Sequence, residues 1–597
     1  MNILLTAINA KYIHSNLAVY SLRAFVPECF RDSVEIAEYT INHRLEFILQ
    51  QLYKRAPDVL CFSCYIWNYD YVREIAAEYH KLRPDVPIWV GGPEVSYEIL
   101  QMFKENPAFF GVMIGEGEAA FAGLVAYYCG GRRGELSAVS GIAFRRETYA
   151  ARRRIALGED VSDCQPGTGQ DGEICQTTSK EPFDFDSIPF CYENMQRFEN
   201  RIIYYESSRG CPFSCSYCLS SADKRLRFRN LSLVKEELSF FMEHNVPQVK
   251  FVDRTFNCNH AHAMAVWQFI KERDKGITNF HFEIAADLLT KEEISLLAGL
   301  RPGLLQLEIG VQSTNPKTLE EICRVTDLSK VQSAVRQIQK AGNIHVHLDL
   351  IAGLPFEGYW RFRESFNDVY AWKPEQLQLG FLKVLKGSLL YERRSEYGLV
   401  YRERPPYEVL RTNWLSYDEI LLIKLVEEML EVYYNSGQFE VTMKLLDVVY
   451  PDAFGFFLAL GQFYEKNGYL ERSHSRIRRC ELLLEFAAKD GRIPKELLED
   501  SLLYDLYYRE NMKSRPYWAR NPAEFANVTR TVCKSGKLSH VEPFFYRFPG
   551  KEEKTLDALP KRLANEVYVL FEYKKRDALS HQAKTTELTG FGEEGIK

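Results

Sequence analysis

The sequence lacks the features that mark membrane, exported and nucleic-acid-binding proteins. No apolar stretch of about eighteen residues occurs, so we expect no membrane span. The segment from Met1 to Leu5 enters an apolar strand without any preceding basic residues, so no signal peptide is predicted. The formal net charge is −6, which supplies no basic field for a nucleic acid. We therefore expect neither a membrane nor a nucleic acid as a partner.

A disulfide pattern is also missing, although the chain has 14 cysteines. Most of them are scattered without a pairing pattern, so a reducing cytoplasm is the predicted compartment. Cys61 and Cys64 form a C-x2-C pair, but they lie in an apolar strand whose alternation points them to opposite faces. We interpret both as core residues.

The length of the chain, 597 residues, is too great for a single hydrophobic core. Its content of 46% hydrophobic and 26% charged residues is that of a soluble globular protein. We predict a Rossmann-like domain at 1–140, a hairpin and flexible linker at 141–195, a strand–helix repeat at 196–400 and a mostly helical domain at 401–597.

Strands and helices alternate through the first domain. Short apolar runs, such as Ile3 to Ile8 and Asp58 to Ser63, predict buried strands of a parallel sheet with helices on both faces. Ligands of such sheets bind beyond the carboxyl ends of the strands. Gly91-Gly92 and Gly115-x-Gly117 follow two predicted strands, where the missing side chains let a ligand approach the backbone.

The linker contains two arginine-rich stretches. Gly141 to Arg146 and Arg152 to Ile155 predict the two strands of a hairpin. The following stretch, Gly158 to Lys180, is rich in small and polar residues and has few large apolar ones, so it predicts a flexible loop.

Three cysteines, Cys211, Cys215 and Cys218, have a C-x3-C-x2-C spacing. Thiolates are soft ligands that suit zinc and iron–sulfur clusters. Zinc sites usually close with a fourth protein ligand, and no C-x2-C or H-x3-H pair follows nearby. Three thiolates on one loop can instead hold three irons of a [4Fe–4S] cluster and leave the fourth iron for a ligand that is not protein.

With an aromatic residue, Tyr217, directly before the last cysteine, this spacing resembles the signature of the radical S-adenosylmethionine (SAM) superfamily. The flanks are similar as well: Ile202 to Glu206 predicts a strand, and Ser207 to Gly210 predicts the turn before the first cysteine. The resemblance implies a [4Fe–4S] cluster on the three cysteines, SAM on the open iron, and reductive cleavage of SAM to a 5′-deoxyadenosyl radical.

Six strand–helix units between 196 and 400 fit a partial (β/α)6 barrel, which is the fold that the resemblance implies. Polar residues at the carboxyl ends of barrel strands face the site. That rule selects Asp253, Arg254, Glu283, Asp287, Glu308, Gln312, Ser313 and Asp349.

The resemblance also implies individual SAM contacts. Arg324 would meet the SAM carboxylate, since an arginine fork matches a carboxylate. Asp253 stands where the family places a glycine-rich turn for the SAM amino group, and that turn is absent here. The stretch from Glu308 to Ser313 is similar to the family's fourth-strand contact, and Ile351 to Pro355 resembles its adenine platform. The implied set is Tyr217, Asp253, Glu308, Gln312, Ser313, Arg324 and Gly353.

Placed before such a core, the glycine turns of the first domain resemble those of cobalamin-dependent radical SAM enzymes. The chain has no Asp-x-His-x-x-Gly, so the resemblance implies cobalamin held without a histidine ligand, and we interpret His14 and His43 as surface or cap residues. The implied cobalamin contacts are Ser63, Gly91, Gly92, Glu94, Gly115, Glu116, Gly117 and Glu118.

The last domain contains no motif for metal, phosphate or nucleophilic catalysis. A capping box, Ser416-x-x-Glu419, predicts the start of a strong helix, and further helices follow. Asn565 to Phe571 predicts a late strand, and the polar end from Lys574 is predicted to be disordered. We expect substrate choice to be made by this domain.

The sequence therefore predicts an α/β multidomain, cytoplasmic radical SAM enzyme that uses cobalamin to methylate, or to modify the carbon skeleton of, a small molecule. A reducing partner such as flavodoxin or ferredoxin would supply the electron. Two other functions remain open: methylthiolation of RNA, which the acidic charge balance disfavours, and a cobalamin or SAM sensor without turnover. No catalytic residue is assigned.

Overall fold

The computed structural model describes residues 1–131, 135–146, 151, 174–178, 184–221, 224–532, 538–550 and 553–588. It divides into two compact units. Unit 1 contains Met1–Glu283 and Lys383–Val409, and unit 2 contains Ile284–Leu382 and Leu410–Lys597. No helix of the described residues combines the length and the apolarity that a membrane crossing requires.

Unit 1 begins with a sheet of seven described strands in the order β2-β1-β3-β4-β5-β6-β7. The first five pair in parallel, and β6 and β7 are antiparallel additions at one edge. Every residue of β1 and β3 is buried, because helices cover both faces of a parallel sheet. The strands are β1 Ile3–Asn9, β2 Val34–Thr40, β3 Val59–Ser63, β4 Ile88–Gly91, β5 Gly111–Met113, β6 Ile142–Arg145 and β7 Ile174–Gln176.

The helices of this sheet alternate with its parallel strands, as the sequence predicted. Asn16 caps α1 by accepting from the amide of Val19, while the hydroxyl of the preceding Ser15 donates to the carbonyl of Ile202. The helices are α1 Leu17–Phe25, α2 Glu28–Arg31, α3 Leu45–Arg55, α4 Tyr69–Leu82, α5 Ile99–Glu105 and α6 Gly117–Cys129.

The linker differs in part from its prediction. Ile174–Gln176 pairs with β6 as β7, although composition predicted a flexible loop there. A strand that joins an existing sheet edge needs few large apolar residues of its own, because the sheet supplies its hydrogen bonds. The predicted second hairpin strand at 152–155 and most of the predicted loop lie outside the described residues.

The rest of unit 1 carries the cysteines. β8, β11 and β12 pair in parallel, and β9 and β10 form a short antiparallel ribbon. The ribbon encloses residues 210–226, here named the cysteine loop. These elements are β8 Ile203–Tyr205, β9 Ser208–Arg209, β10 Arg227–Phe228, α7 Leu231–Glu243, β11 Gln248–Phe251, α8 His260–Arg273 and β12 Asn279–Ile284.

Unit 2 continues the strand–helix repeat with three strands that pair in parallel in the order β13-β14-β15. Burial alternates along β13, so the less buried residues Gln306, Glu308, Gly310 and Gln312 share one face. The elements are α9 Lys291–Ala298, β13 Leu305–Gln312, α10 Pro316–Glu321, α11 Leu328–Ala341, β14 His345–Ala352, α12 Tyr359–Tyr370 and β15 Gln376–Phe381.

The chain returns to unit 1 after β15 and then enters the last domain. The return segment contains α13 Leu389–Glu392, β16 Val400–Tyr401 and the start of β17 Val409–Arg411. The predicted capping box is present, because the Ser416 hydroxyl accepts from the Glu419 amide and the Glu419 carboxylate accepts in return. The helices are α14 Tyr417–Leu430, α15 Glu440–Val449, α16 Ala453–Lys466, α17 Arg476–Asp490, α18 Lys495–Arg509 and α19 Ala526–Val532.

An antiparallel sheet follows these helices: β18 Ser539–Phe544, β19 Val567–Arg576 and β20 Ala583–Leu588. The prediction of disorder from Lys574 onward was wrong for the described residues, since β19 runs to Arg576 and β20 pairs with it. The alternate apolar residues Val569 and Phe571 are buried against α18, which stabilises strands whose exposed positions are polar.

Candidate functional site

The cysteine loop folds back on itself through local hydrogen bonds. The amide of Cys218 donates to the carbonyl of Cys215 at 3.1 Å, and the Ser221 hydroxyl donates to the carbonyls of Cys215 and Cys218 at 3.1 and 2.6 Å. Cys211 and Cys215 are buried, Cys218 is half-buried, and all three remain thiols rather than disulfides. Three thiols on one tight loop are a donor set that fits the predicted iron–sulfur cluster.

Asp253 lies at the base of this loop. Its carboxylate accepts from the amide of Ser207 at 3.0 Å and from the hydroxyls of Ser207 and Ser208 at 2.7 and 2.6 Å. The Ser207 hydroxyl also lies 3.0 Å from Nε2 of His262. Burial raises the pKa of Asp253, and these donors oppose the shift. Asp253 therefore holds the turn before Cys211 through hydrogen bonds to Ser207 and Ser208. Its contact with SAM stays a prediction.

The carboxyl ends of β3, β4 and β5 bring several predicted cobalamin contacts to one place, here named the glycine edge. Ser63 pairs with Gly91, and Gly91 pairs with Met113, two residues before Gly115. A Cβ on Gly115 would meet no atom within 4 Å, so the backbone there borders open space. Such a bare backbone fits a large ligand that lies against the strand ends.

The two glycines of the β4 turn differ from Gly115 because they are packed. A Cβ on Gly92 would lie 2.4 Å from the carbonyl oxygen of Cys64, and the φ of Gly92 is +116°. A Cβ on Gly91 would lie 3.2 Å from the Cε of Met113. Gly92 is therefore required for the approach of β4 to β3 whether or not a ligand is present.

A stacked aromatic pair, which the sequence analysis missed, follows Ser63 at the same edge. The rings of Tyr65 and Trp67 are 4.4 Å apart and nearly parallel, and Trp67 is 42% exposed. Asn68 fixes their loop by donating to the carbonyls of Ile8 and Ser63, both at 2.9 Å. Two aromatic residues directly after a buried strand were the available signal. This flat apolar surface is a second feature that fits a macrocyclic ligand.

The carboxylates that were predicted to contact cobalamin are paired within unit 1. Tyr407 donates to Glu94, and burial raises the pKa of Glu94 to about 7. Glu116 and Glu118 form ion pairs with arginines of the β9–β10 ribbon. Gly117 begins α6 in the same turn. Cobalamin contact by these residues stays a prediction.

The return segment of unit 1 packs on the turn after β4. The Tyr391 hydroxyl donates to Glu98 at 2.7 Å, and Nζ of Lys386 lies 3.2 Å from the same carboxylate. Gly387 approaches the ring of Tyr97 so closely that a Cβ there would lie 2.2 Å from it. These contacts and the hydrogen bond from Tyr407 to Glu94 hold the return segment against the glycine edge and stabilise it.

The two lone histidines of the first domain are engaged locally. Nδ1 of His14 lies 2.6 Å from the hydroxyl of Tyr204, and Nδ1 of His43 accepts from the amide of Thr40 at 3.0 Å. Burial lowers the pKa of His14, with Lys11 and Lys250 acting in the same direction. Both residues therefore have a local partner at Nδ1, and their interpretation as surface or cap residues stays a prediction.

In unit 2, Gln312 is held in an unusual conformation. Its φ is +71°, at a register shift between β13 and β14, and its Oε1 is buried without a hydrogen-bond partner. Arg324 donates to the carbonyl of Gly310 beside it. A non-glycine residue in the left-handed region costs about 1–3 kcal/mol and is typical of functional sites. The buried acceptor of Gln312 fits the predicted SAM contact.

Ser313 and Gly353 occupy supporting positions in unit 2. The Ser313 hydroxyl is buried and donates to Glu357 at 2.6 Å, and Ser365 donates to the same oxygen at 2.7 Å. Burial raises the pKa of Glu357, and these donors oppose the shift. Gly353 is buried with a φ of +92° directly after β14, a conformation that favours glycine.

The polar face of β13 and β14 also contains His347, which the sequence analysis missed. Glu308 and His347 are register partners, and Nε2 of His347 lies 3.0 Å from Oδ1 of Asp349. Ligand atoms of all three lie within 4.8 Å of one another. The alternation of His345, His347 and Asp349 along an otherwise apolar strand was the signal for one polar face.

Comparisons with known proteins agree with these observations. A family model described as B12 binding domain matches residues 3–125, and one described as Radical SAM superfamily matches residues 205–369. The chain thus joins a B12-binding domain to a radical SAM domain. A third model, described as a protein of unknown function (DUF4080), matches residues 395–560, which follow the radical SAM domain.

Curated relatives match more than half of this chain. The chain is 28% identical over 382 residues to the cobalamin-dependent radical SAM methyltransferase TokK of Streptomyces tokunonensis, covering 58% of this chain and 51% of that protein. It is 24% identical over 324 residues to the anaerobic magnesium-protoporphyrin IX monomethyl ester cyclase of Rubrivivax gelatinosus, covering 52% and 53%. The chain thus spans about half the length of the curated relatives it matches.

Solved structures with this fold include the cobalamin-dependent SAM radical enzyme OxsB with aqua-cobalamin and SAM bound. Its TM-score is 0.53 at 14% identity, over 84% of this chain and 78% of that chain. The methyltransferase TsrM from Kitasatospora setae, with cobalamin and a [4Fe–4S] cluster bound, gives a TM-score of 0.50 at 15% identity, over 68% and 82%. The predicted fold class, with a B12-binding domain, a radical SAM domain and a helical C-terminal region, is confirmed.

Proposed function

We propose that this protein is a cobalamin-dependent radical SAM enzyme that transfers a methyl group to a small molecule. The observation that carries the proposal is that unit 1 contains both a three-thiol loop and an open glycine edge. The similarity to curated methyltransferases supports the reaction type. When bound, the cluster with SAM supplies one-electron chemistry, and cobalamin supplies a methyl carrier.

The residues of unit 1 would hold two of these groups. Cys211, Cys215 and Cys218 would bind the cluster as thiolates, with the Asp253 network fixing the start of their loop. The open backbone at Gly115 would let cobalamin lie against the strand ends beside the aromatic pair, and Ser63, Gly91, Gly92 and Gly117 would contact it from the same edge. Tyr217, which is half-buried in the cysteine loop, would contact SAM.

The residues of unit 2 would orient SAM. The unpaired Oε1 of Gln312 would accept a hydrogen bond, which removes the cost of a buried acceptor without a partner. Glu308 on the same face would accept another, and Arg324 would contribute a positive charge. Gly353 would bring backbone close to the ligand, because glycine adopts a φ of +92° without strain and has no side chain.

The remaining assignments complete the proposal. The domain limits are 1–140, 141–195, 196–400 and 401–597, with substrate choice in the last. A reducing protein such as flavodoxin or ferredoxin would supply electrons in the cytoplasm. A change of the substrate's carbon skeleton is a second candidate reaction, favoured by the similarity to the cyclase.

The test is cofactor content after anaerobic purification from cobalamin-fed cells. We expect about four irons, with matching sulfide, and about one cobalamin per chain. The loaded protein is then incubated with methyl-labelled SAM, a reductant and a small-molecule extract, and label is sought in the extract. Four irons without cobalamin would exclude the proposed methyl carrier. Cofactors without formation of 5′-deoxyadenosine would favour the sensor.

A further inference from the structure

Arg209 lies directly before the cysteine loop, two positions ahead of Cys211. It is the last residue of β9, and three carboxylates surround its guanidinium. Oε1 of Glu118 lies 2.5 Å away, Oε2 of Glu206 lies 2.8 Å away, and Oε1 of Glu116 lies 3.7 Å away. Two of these carboxylates come from the turn of the glycine edge, so Arg209 links that edge to the loop.

A second arginine stands directly across the ribbon. Arg209 and Arg227 are register partners in the β9–β10 pair. Like charges in directly opposite positions repel each other and weaken a two-stranded ribbon. Glu116 removes this repulsion, because its carboxylate accepts from Arg227 and also faces Arg209. The ribbon that encloses the cysteine loop is therefore stabilised by a carboxylate of the B12-binding domain.

Glu118 anchors the arrangement on the B12-binding side. It is 5% exposed, lies in the first turn of α6, and accepts from the Ser21 hydroxyl of α1 at 3.2 Å. Burial favours the neutral acid, but the Arg209 guanidinium, with hydrogen bonds from the Glu118 amide and the Ser21 hydroxyl, holds the pKa of Glu118 below its ordinary value. A buried, charged carboxylate that accepts hydrogen bonds from two residues is held in one defined position.

We propose that Glu116, Glu118 and Arg209 form an arginine clamp that sets the position of the cysteine loop relative to the glycine edge. The clamp residues are positioning residues, which gives the two glutamates a role distinct from cobalamin contact. The inference rests on the proposed function, in which the loop and the edge each hold a cofactor. Methyl exchange between cofactors needs a fixed approach, and misplacement by about 1 Å can cost about 100-fold in rate.

The protein contains a matched control for the clamp. Arg201 and Glu38 form an ion pair of 2.7 Å, with 15% and 10% of their side chains exposed. This pair also joins the B12-binding sheet, through β2, to the segment before β8. It is as buried as the clamp but lies outside the β9–β10 ribbon. A general role in holding the domain together would give both pairs the same effect.

The experiment compares Glu118→Gln, Arg209→Lys and Glu38→Gln in the holoenzyme. Glu118→Gln keeps the size of the side chain but removes its charge. Arg209→Lys keeps the charge but loses the guanidinium that binds several carboxylates at once. Cofactor content, the thermal midpoint and the magnetic interaction between reduced cluster and cob(II)alamin are measured. The rate of methyl transfer from labelled SAM to cobalamin is divided by the rate of 5′-deoxyadenosine formation.

We expect both clamp variants to keep iron and cobalamin, to show a changed magnetic interaction, and to lose about 100-fold in that ratio. We expect Glu38→Gln to keep the interaction and the ratio of the parent. If either clamp variant fails to fold, the other decides. The inference is overturned if the clamp variants keep the magnetic interaction and the rate ratio of the parent, or if Glu38→Gln loses as much as they do. Either result leaves the proposed function standing. A parent protein without cobalamin overturns the proposed function as well.

Discussion

Ser207 is bound to Asp253 twice, since its amide donates to one carboxylate oxygen at 3.0 Å and its hydroxyl to the other at 2.7 Å. The two residues are 46 positions apart, and both are buried. Ser207 is four residues before Cys211, so the contact fixes the chain where the cysteine loop begins. The stability of the loop therefore depends on Asp253, which follows β11 by two residues.

Replacement of Asp253 by alanine is expected to prevent cluster binding. The change leaves the buried amide of Ser207 and the buried hydroxyl of Ser208 without their acceptor, which costs about 1–3 kcal/mol for each group. Iron and sulfide content after anaerobic reconstitution measure the effect. Asp274→Ala is the control, because Asp274 accepts one loop amide, that of Gly276, in the same unit. Full iron content in the Asp253 variant would contradict the role assigned to it.

Cys215→Ala is expected to abolish both the brown colour of the cluster and SAM cleavage. Two thiolates cannot hold a site-differentiated cluster that needs three. Cys29→Ala is the matched control, since Cys29 is an exposed thiol in the same unit. Iron content and 5′-deoxyadenosine formation are measured in both proteins. A Cys215 variant that retains four irons per chain would refute the ligand assignment.

Two glycines of the glycine edge should respond differently to alanine. Gly92→Ala places a Cβ 2.4 Å from the carbonyl of Cys64 and should cost more than about 3 kcal/mol of stability. Gly115→Ala meets no atom and should cost about 1–2 kcal/mol for its left-handed backbone alone. Thermal unfolding measures both costs.

The same pair tests the cobalamin site. Because the added methyl group occupies open space at Gly115, we expect Gly115→Ala to stay folded and to bind less cobalamin. Cobalt content measured beside the circular dichroism spectrum separates these effects. A folded Gly115 variant with the parent's cobalamin content would remove this glycine from the site.

Gln312→Gly should separate binding from stability. Glycine adopts a φ of +71° without strain, so the variant should lie within about 1 kcal/mol of the parent. Loss of one hydrogen bond to a charged ligand should weaken SAM binding about tenfold. Cys323→Gly is the control, because exposed Cys323 has a φ of +55° and gains the same backbone relief. Calorimetric titration with SAM shows whether only the Gln312 variant changes.

Asp505 should make the last domain more stable in mild acid. Its oxygens accept from the amides of Val441 and Thr442 at the start of α15, both at 2.9 Å, and burial raises its pKa to about 7. The folded state therefore holds a proton that the unfolded state releases, and stability falls as pH rises from its ordinary pKa of 3.8 to about 7.

Asp505→Asn removes this titration. The variant should lose about 1–3 kcal/mol of folding stability at low pH, because the side-chain amide group faces a backbone N–H. This deficit should shrink as pH rises towards 7, since the parent loses stability over that range. Asp452→Asn is the control, since burial of Asp452 is outweighed by bonds from Asn367 and Arg363, which hold its pKa low. Its deficit should stay constant between about pH 5 and pH 8. Thermal midpoints across that range measure both.

Local patterns predicted the parts of this protein that depend on local chemistry. Thiol spacing predicted the cysteine loop, apolar runs predicted the parallel strands, and Ser416 with Glu419 predicted the start of α14. The predicted disorder beyond Lys574 was wrong in the described part, because β19 and β20 are stabilised by pairing rather than by their own composition.

Contacts between distant residues could not be predicted. Arg209 and Glu118 are 91 positions apart, and nothing in either neighbourhood specifies the other. Asp253 was selected as a polar residue at a strand end, but its partners depend on the packing of β8 beside β11. The Tyr65–Trp67 pair could have been found by applying the strand-end rule to aromatic groups, and His347 by the alternation of polar residues along β14.

The order of the chain has a consequence for synthesis on the ribosome. The turn after β4 is completed by Tyr407, which lies beyond the whole of β13 to β15. A nascent chain that has emerged only to Glu283 thus lacks the partner of Glu94. Unit 1 must wait, incompletely closed, while about 120 further residues are translated, which at 5–20 residues per second takes about 6–25 seconds. Cobalamin loading is therefore expected only after the return segment up to Tyr407 has been translated.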